Sequence, residues 1–435
     1  MILVDTALAR REAEGRPVRV AMVGAGFMGR GVANQIIGST PGMRLVGVAN
    51  RHLEGAVRAY REAGVEDVDV VEDTAAASAS IAAGRPVVTE DALALVAADG
   101  VDVVCDVTGA VGFGAEVTLA AFAAGKHVVT MNAELDGTVG PLLSVLAERA
   151  GVVFSGVDGD QPGVEVNLHR FVTGRGLTPL VLGNIKGLQD TQRTPTTQAG
   201  FAARWGQDPA MVTSFADGTK VSFEQAIVAN ATGMTVERRG MGGRDHRGHV
   251  DELTGAYDVE QLQALGGVVD YVVGAQPGPG VFCLATVEDP KQRHYLDLYK
   301  LGPGPLYSFY TPYHLCHFEV PASLARAVLF DDAVIRAAGA PRVEVVATAK
   351  RDLAPGEVLD GLGGYDTYGE AETASATREQ GLLPMGVAEG CRVVRPVRQG
   401  ATLVEADVER PPGRLVDDLR RQQAELFAEV GTSAA

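Results

Sequence analysis

Cysteine is scarce in this chain: Cys105, Cys283, Cys316 and Cys391 are scattered through 435 residues with no CxxC pair. Such usage excludes a disulfide framework and fits a reducing, cytoplasmic compartment. Long apolar runs are missing as well. No segment reaches the roughly 18 uncharged apolar residues of a membrane span. The opening stretch MILVDTALARREAEGRP is broken by Asp5, Arg10, Arg11, Glu12 and Glu14, so it lacks the shape of a signal peptide. Positive charge is in deficit too, and the net charge of −17 argues against nucleic acid or an anionic membrane as the main partner. A small molecule remains, and an anionic one is not excluded, because a basic pocket can sit in an acidic protein. We find no internal repeat and no low-complexity segment.

What the chain has instead is glycine, 54 residues of it, within a composition that is 46% apolar and 21% charged. That balance belongs to a globular α/β protein with many tight turns. The length is too great for one core and implies two or three domains. Residues 1–16 read as a polar helix. Val18–Val23 is a continuous apolar strand, followed at once by GAGFMGRGVANQII. Further strands are expected at Met43–Ala49, Val101–Val107 and His127–Met131, and AEVTLAAFAAG between the last two has helical spacing and ends on Gly125. Strands alternating with helices over 150 residues predict a doubly wound parallel sheet, the Rossmann arrangement.

Gly24, Gly26 and Gly29 form GxGxxG between a strand and a helix. The first glycine permits the turn, the second lets backbone approach a pyrophosphate, and the third lets helix and strand pack closely. Phe27 and Met28 complete the turn, and the alternative is a merely structural Gly-rich turn. The end of the second strand distinguishes the nicotinamide cofactors, because an NAD site usually places Asp or Glu there for the ribose diol. Here the residues are Asn50 and Arg51. Arg51 suits a 2′-phosphate, so NADP is expected, with NAD possible; the bland alternative is a solvated surface arginine. Thr108 and Gly109 end the next strong strand where the nicotinamide half should lie, and Asp106 receives no assigned role. In GKHVVTMNAELD, an amide and two carboxylates follow a core strand. Asn132 is read as a hydrogen-bonding group for cofactor or substrate. Glu134 either binds substrate or opens a helix beside Asp136, where the helix dipole favours acids.

After residue 157 the pattern turns to isolated short strands, Pro179–Leu182 and Val281–Val287 among them, amid more Thr, Gln, Tyr and His. Hydride transfer to a carbonyl requires a proton donor for the developing alkoxide. Lys186, between glycines after a strand, and Lys220, near Asp217, are the candidates; each is otherwise a turn lysine in solvent. Asp190 and Arg193 in DTQRTPTTQ would suit a carboxylate or phosphate. LYSFYTPYHLCHFEVP gathers Tyr310, His314 and His317, which line a pocket or pack beneath one. The histidines are three apart, but no third ligand has convincing spacing, so no metal site is assigned. RGMGGRDHRGHVDE (239–252) reads as a solvated loop or a lid.

The stretches RVAMVGAGFMGRGV, VDVVCDVTG, AAGKHVVTMNAELD and LAERAGVVFSG resemble homoserine dehydrogenase and its relatives. In that family an Ala-Asn-Lys sequence lines the nicotinamide. Asn132 matches its Asn, while Ala133 stands where the Lys would be, and the lysine of the related sugar-dehydrogenase superfamily's Glu-Lys-Pro is missing too. The family's NGTTNY signature gives way to GNIKGLQDTQRTPTT, which points away from homoserine as substrate. AKRDLAPGEVLDG and LPMGVAEGCRVVRPVRQGATLVEADV resemble the SAF domain, a small β-clip module. The expected organisation is a Rossmann domain at 1–157, an α+β substrate and dimerisation domain at 158–317, and a return helix and linker at 318–342. A SAF-like module at 343–410 and an amphipathic helix at 411–435 would follow. The resemblance implies an NAD(P)-dependent oxidoreductase, expected as a homo-oligomer, acting on a small polar hydroxy or carbonyl compound related to sugars or hydroxy acids. Two alternatives stay open: an enzyme that recycles a tightly bound cofactor through elimination or epimerisation, and a non-catalytic nucleotide sensor or assembly protein.

Overall fold

The computed structural model describes residues 2–428. The chain divides into two compact units. Of the described residues, the first comprises 2–160, 315–336 and 418–426, and the second 161–314, 337–417 and 427–428. No helix among the described residues is long and apolar enough to cross a membrane.

The first unit is built on seven strands: β1 (Val18–Val23), β2 (Met43–Ala49), β3 (Asp69–Val70), β4 (Val87–Thr89), β5 (Val103–Asp106), β6 (His127–Thr130) and β7 (Phe154–Gly156). They pair in parallel in the order β3-β4-β2-β1-β5-β6-β7. Five of the six residues of β1 are buried and β5 is buried throughout, as strands covered on both faces must be. Strand order runs outward in both directions from β1 and β5, so these two flank the topological switch point where α/β sheets bind ligands. Val20, Met22, Val48, Val103 and Val129 pack with Val32 and Ile36 of the helix Phe27–Ser39 and with Val320 and Leu324 of the helix Cys316–Phe330. That last helix is fastened by a buried ion pair, Arg326 Nη1 to Asp158 Oδ1 at 2.9 Å, and by Ser323 Oγ donating to Asp158 Oδ2.

The second unit has a five-stranded sheet of β8 (Thr178–Lys186), β9 (Arg244–Asp245), β10 (Val268–Val273), β11 (Gly280–Thr286) and β12 (Leu306–Thr311). The order is β12-β11-β8-β10-β9, with β8, β9 and β10 parallel and β11 and β12 antiparallel. Mixed pairing explains why the sequence reads as isolated strands here. β8 and β11 are almost wholly buried and show no alternation to follow. Residues 343–410 belong to this unit: β13 (Val343–Ala349) pairs antiparallel with β14 (Thr367–Thr373). Asn230, from the helix Thr219–Thr232, bonds the Val343 carbonyl and the Arg342 and Val343 N–H groups, while Ser222 Oγ donates to Gly369 O. The 239–252 stretch contributes the edge strand β9 rather than a free loop.

Candidate active site

At the switch point, β1 turns through Gly24 into the helix Phe27–Ser39. Gly24 has φ +104°, and a Cβ there would stand 2.9 Å from Val107 O, so only glycine fits. A Cβ at Gly29 would meet Gly24 O at 2.6 Å, which is the close helix–strand packing the motif needs. Gly26 differs: nothing lies within 4 Å of a Cβ built on it. Gly26 is also the N-cap of the helix and offers no side-chain cap, leaving first-turn N–H groups without that partner. Open space beside an uncapped helix N-terminus is a cradle for an anionic pyrophosphate. Phe27 is exposed and Met28 partly so.

Asn50 braces this turn. Its Oδ1 accepts from Ala25 N at 3.1 Å and its Nδ2 donates to His52 O at 2.8 Å. Arg51 is exposed, and no ion pair holds it among the described residues. No carboxylate follows β2 directly; Leu53 N donates to Glu90 Oε1 at 2.9 Å, which brings an acid from beyond β4 to this edge.

The loops after β5 and β6 meet through Asp106, a hub that sequence reasoning left without a role. Its Oδ1 accepts from the Thr108 N–H and hydroxyl, and its Oδ2 from Thr130 Oγ1. Burial raises its pKa, and hydrogen bonds from Thr108, Thr130 and Asn132 oppose the rise. Asn132 is fully buried and caps the helix Ala133–Ala150, with Oδ1 accepting Leu135 N at 3.0 Å and Nδ2 donating to Ala110 O at 3.0 Å. Both ends of this amide are thus engaged within the protein, and it holds the loop carrying Thr108 and Gly109. Glu134 and Asp136 lie buried in the first helical turn, and burial pushes Asp136 up to about 7.

In the second unit, β8 and two helices gather ionisable groups. Lys186 ends β8 and its Nζ donates to Phe215 O at 2.8 Å. Burial lowers its pKa, Glu224 and Asp217 act to raise it, and Lys220 lowers it further. Lys220 therefore belongs to the same cluster, not to a solvated turn. Asp217 is completely buried; its Oδ1 accepts Thr219 N, and Lys350 Nζ stands 2.7 Å from Oδ2. Glu224 is buried and accepts from Asn184 Nδ2 at 3.1 Å. Lys350, Glu224 and Asn184 were not singled out from the sequence as members of this cluster.

Asp190 and Arg193 pair with each other, Arg193 Nε to Asp190 Oδ2 at 2.9 Å. The neighbouring threonines serve structure: Thr194 and Thr197 form the capping box of the helix Pro195–Trp205. Tyr310 is exposed on β12, its ring edge-on to His249 at 5.4 Å. His314 lies in the connection after β12, before the helix Cys316–Phe330. His317 is inside that helix and its ring covers Gly31, so the two histidines share no helical face.

Two family models match the chain. Residues 18–130 match the oxidoreductase family with an NAD-binding Rossmann fold, the GFO/IDH/MocA type, and residues 159–320 match the catalytic domain of oxidoreductase DRL. The matched part of the first unit's sheet is thus of the NAD-binding Rossmann kind. The family matched is GFO/IDH/MocA rather than homoserine dehydrogenase. No curated protein matches significantly. Among solved structures, the chain is similar to an NAD-binding oxidoreductase from Klebsiella pneumoniae, 20% identical over 40% of this chain and 43% of that one, TM-score 0.29. It is similar to myo-inositol 2-dehydrogenase from Lactobacillus plantarum, 13% identical over 63% and 75%, TM-score 0.36. Biliverdin reductase from Synechocystis, in complex with biliverdin and NADP+, is 20% identical over 40% and 49%, TM-score 0.27. The chain spans less than half the length of the Klebsiella relative.

Proposed function

We propose that this protein transfers hydride between NADP and a small polar hydroxy or carbonyl compound, sugar- or hydroxy-acid-derived. The observation that carries the reading is the cradle at Gly26, an open backbone edge on an uncapped helix N-terminus at the switch point of the sheet. Bound there, the dinucleotide supplies or accepts the hydride. Its pyrophosphate would rest on the N–H groups of the first helical turn, and the exposed Arg51 would take the 2′-phosphate. Thr108 and Gly109 would border the nicotinamide, with Asn132 holding their loop in place.

Lys186 would give a proton to the developing alkoxide oxygen in reduction and take it back in oxidation. Burial destabilises its ammonium, which makes it a stronger acid than a solvated lysine. Asp217 and Glu224 act in the opposite sense and favour its protonated form. Lys220 is the second donor candidate, and Asp190 with Arg193 would orient a carboxylate or phosphate on the substrate. The sugar-related leaning rests on the resemblance of residues 343–410 to SAF modules, which is an analogy of parts. A cytoplasmic homo-oligomer completes the proposal, and light scattering on the purified chain reads its mass.

The test is cofactor binding by nucleotide fluorescence, followed by NADPH oxidation against a panel of sugars, keto sugars and oxo acids. NADPH should bind more tightly than NADH, and Arg51→Ala should weaken NADPH about tenfold while sparing NADH. Lys186→Met should lower kcat about 100-fold or more. Full turnover in that variant would remove Lys186 from the mechanism. Stoichiometric co-purifying cofactor with no net redox change would instead favour the recycling reading.

A further inference from the structure

Lys350 lies outside both segments that match known families, yet its ammonium is among the most buried charges of the second unit. It follows β13 directly, is 4% exposed, and its backbone N–H donates to Asp366 O. Its Nζ donates to Arg193 O and Gly364 O, both at 2.8 Å, and stands 2.7 Å from Asp217 Oδ2. Burying an ammonium is costly unless it is paired and hydrogen-bonded. A core strand of the 343–410 segment therefore carries this charge for what it does to its partner.

The partner is the carboxylate beside the lysine at which proton transfer is proposed. Asp217 ends the helix Pro209–Asp217, and two residues earlier the Phe215 carbonyl accepts from Lys186 Nζ at 2.8 Å. The charged groups facing Lys186 are Glu224, Asp217 and Lys220; those facing Asp217 include Lys350 and the Tyr368 hydroxyl on β14. Arg193, whose carbonyl Lys350 holds, is the residue paired with Asp190. One ammonium thus fixes both a carboxylate at the proton-transfer cluster and the backbone of the Asp190–Arg193 turn.

We infer that Lys350 is a positioning residue for the acid–base chemistry at Lys186, acting through Asp217, so that the 343–410 segment completes the catalytic unit. This rests on the proposed function only in giving Lys186 a chemical task; the electrostatic link itself can be measured without a substrate. In the intact protein, Lys350 stands 2.7 Å from Asp217 and offsets part of its negative charge. Remove Lys350 and Asp217 turns its field on the remaining ammonium groups, which stabilises protonated Lys186. Neutralise Asp217 and Lys186 faces Lys220 with only Glu224 to offset it.

The experiment is a pH titration of the Lys186 Cε carbon by NMR, in full-length protein carrying labelled lysine. The chain has six lysines, and Lys186→Met assigns the resonance by its loss. Lys350→Met should raise the Lys186 midpoint by about one pH unit, and Asp217→Asn should lower it by about as much. The double variant Lys350→Met with Asp217→Asn, which buries no unpaired charge, should return it close to the wild-type value. A residue with a merely structural role would not produce opposite shifts that cancel. A Lys186 midpoint that Lys350→Met leaves at the wild-type value overturns the inference, and unchanged values in the double and both single variants do so doubly. Full turnover in Lys186→Met would sink the proton-donor role alone and leave this titration to stand or fall separately.

Discussion

Asn132 donates its side-chain N–H to the carbonyl of Ala110 at 3.0 Å, joining the loop after β5 to the start of the helix that follows β6. The same amide caps that helix through Leu135 N. Asn132→Ala removes a helix cap and leaves buried backbone groups unpaired, a loss of about 2–3 kcal/mol. Urea unfolding should show it as a lowered midpoint with an unchanged slope. The loosened Thr108 loop should also weaken NADPH.

Gly24 and Gly26 belong to one motif but should fail differently. Gly24→Ala forces a left-handed backbone and a clash with Val107 O, so it should lower the Tm. Gly26→Ala meets no protein atom, so its Tm should stay within a degree or so of wild type (about ±0.5 kcal/mol). Its methyl group would occupy the cradle, and NADPH affinity should fall at least about tenfold. Calorimetry beside a fluorescence titration separates the two.

Asp136 gives stability a pH dependence. Burial raises its folded-state pKa to about 7, well above the ordinary carboxylate range, so the folded state binds more protons than the unfolded. Its stabilising contribution is complete below the unfolded pKa and is lost as pH rises through about 7. Asp136→Asn should therefore gain stability over wild type at pH 8, by up to about 4 kcal/mol, and gain little at pH 4. Thermal melts of both proteins across that range check it.

Gln423 repairs a helix. Pro141 lies inside the helix Ala133–Ala150 and prevents regular bonding there. Gln423 Oε1 accepts Leu142 N at 3.1 Å and its Nε2 donates to Thr138 O, a carbonyl that Arg420 also reaches at 3.1 Å. Gln423→Leu should cost about 1–2 kcal/mol because the buried Leu142 N–H loses its partner, while Thr138 O keeps Arg420. Hydrogen exchange should then rise at Leu142 more than at Leu135.

Much of this was legible in the residues. Continuous apolar strands and GxGxxG located the sheet and the cofactor turn, because local sequence dictates both. β1 and β2 fall where the sequence puts them, while β5 is three residues shorter than expected and β6 one. The second unit was harder to read, since β8 and β11 are buried on both faces and carry no alternation. Lys186 and Lys220 stood out by type and position. Their environment did not: Lys350 comes from a distant segment, β8 and the helix Thr219–Thr232 are far apart in sequence, and Asp217 is buried by contacts no local pattern encodes. Asn132 drew attention as a polar residue after a core strand, and its bonds show a brace between two loops.

The proposed reaction is hydride transfer between NADP and a polar carbonyl compound. Its most direct test is incubation of the full chain with NADPH deuterated at the transferable position and the sugar, keto sugar and oxo acid panel, reading products by mass spectrometry. Deuterium bound to carbon in one reduced product, with little or none from Gly26→Ala, is the expected result. NADPH that neither binds nor passes deuterium to any member of the panel would contradict it.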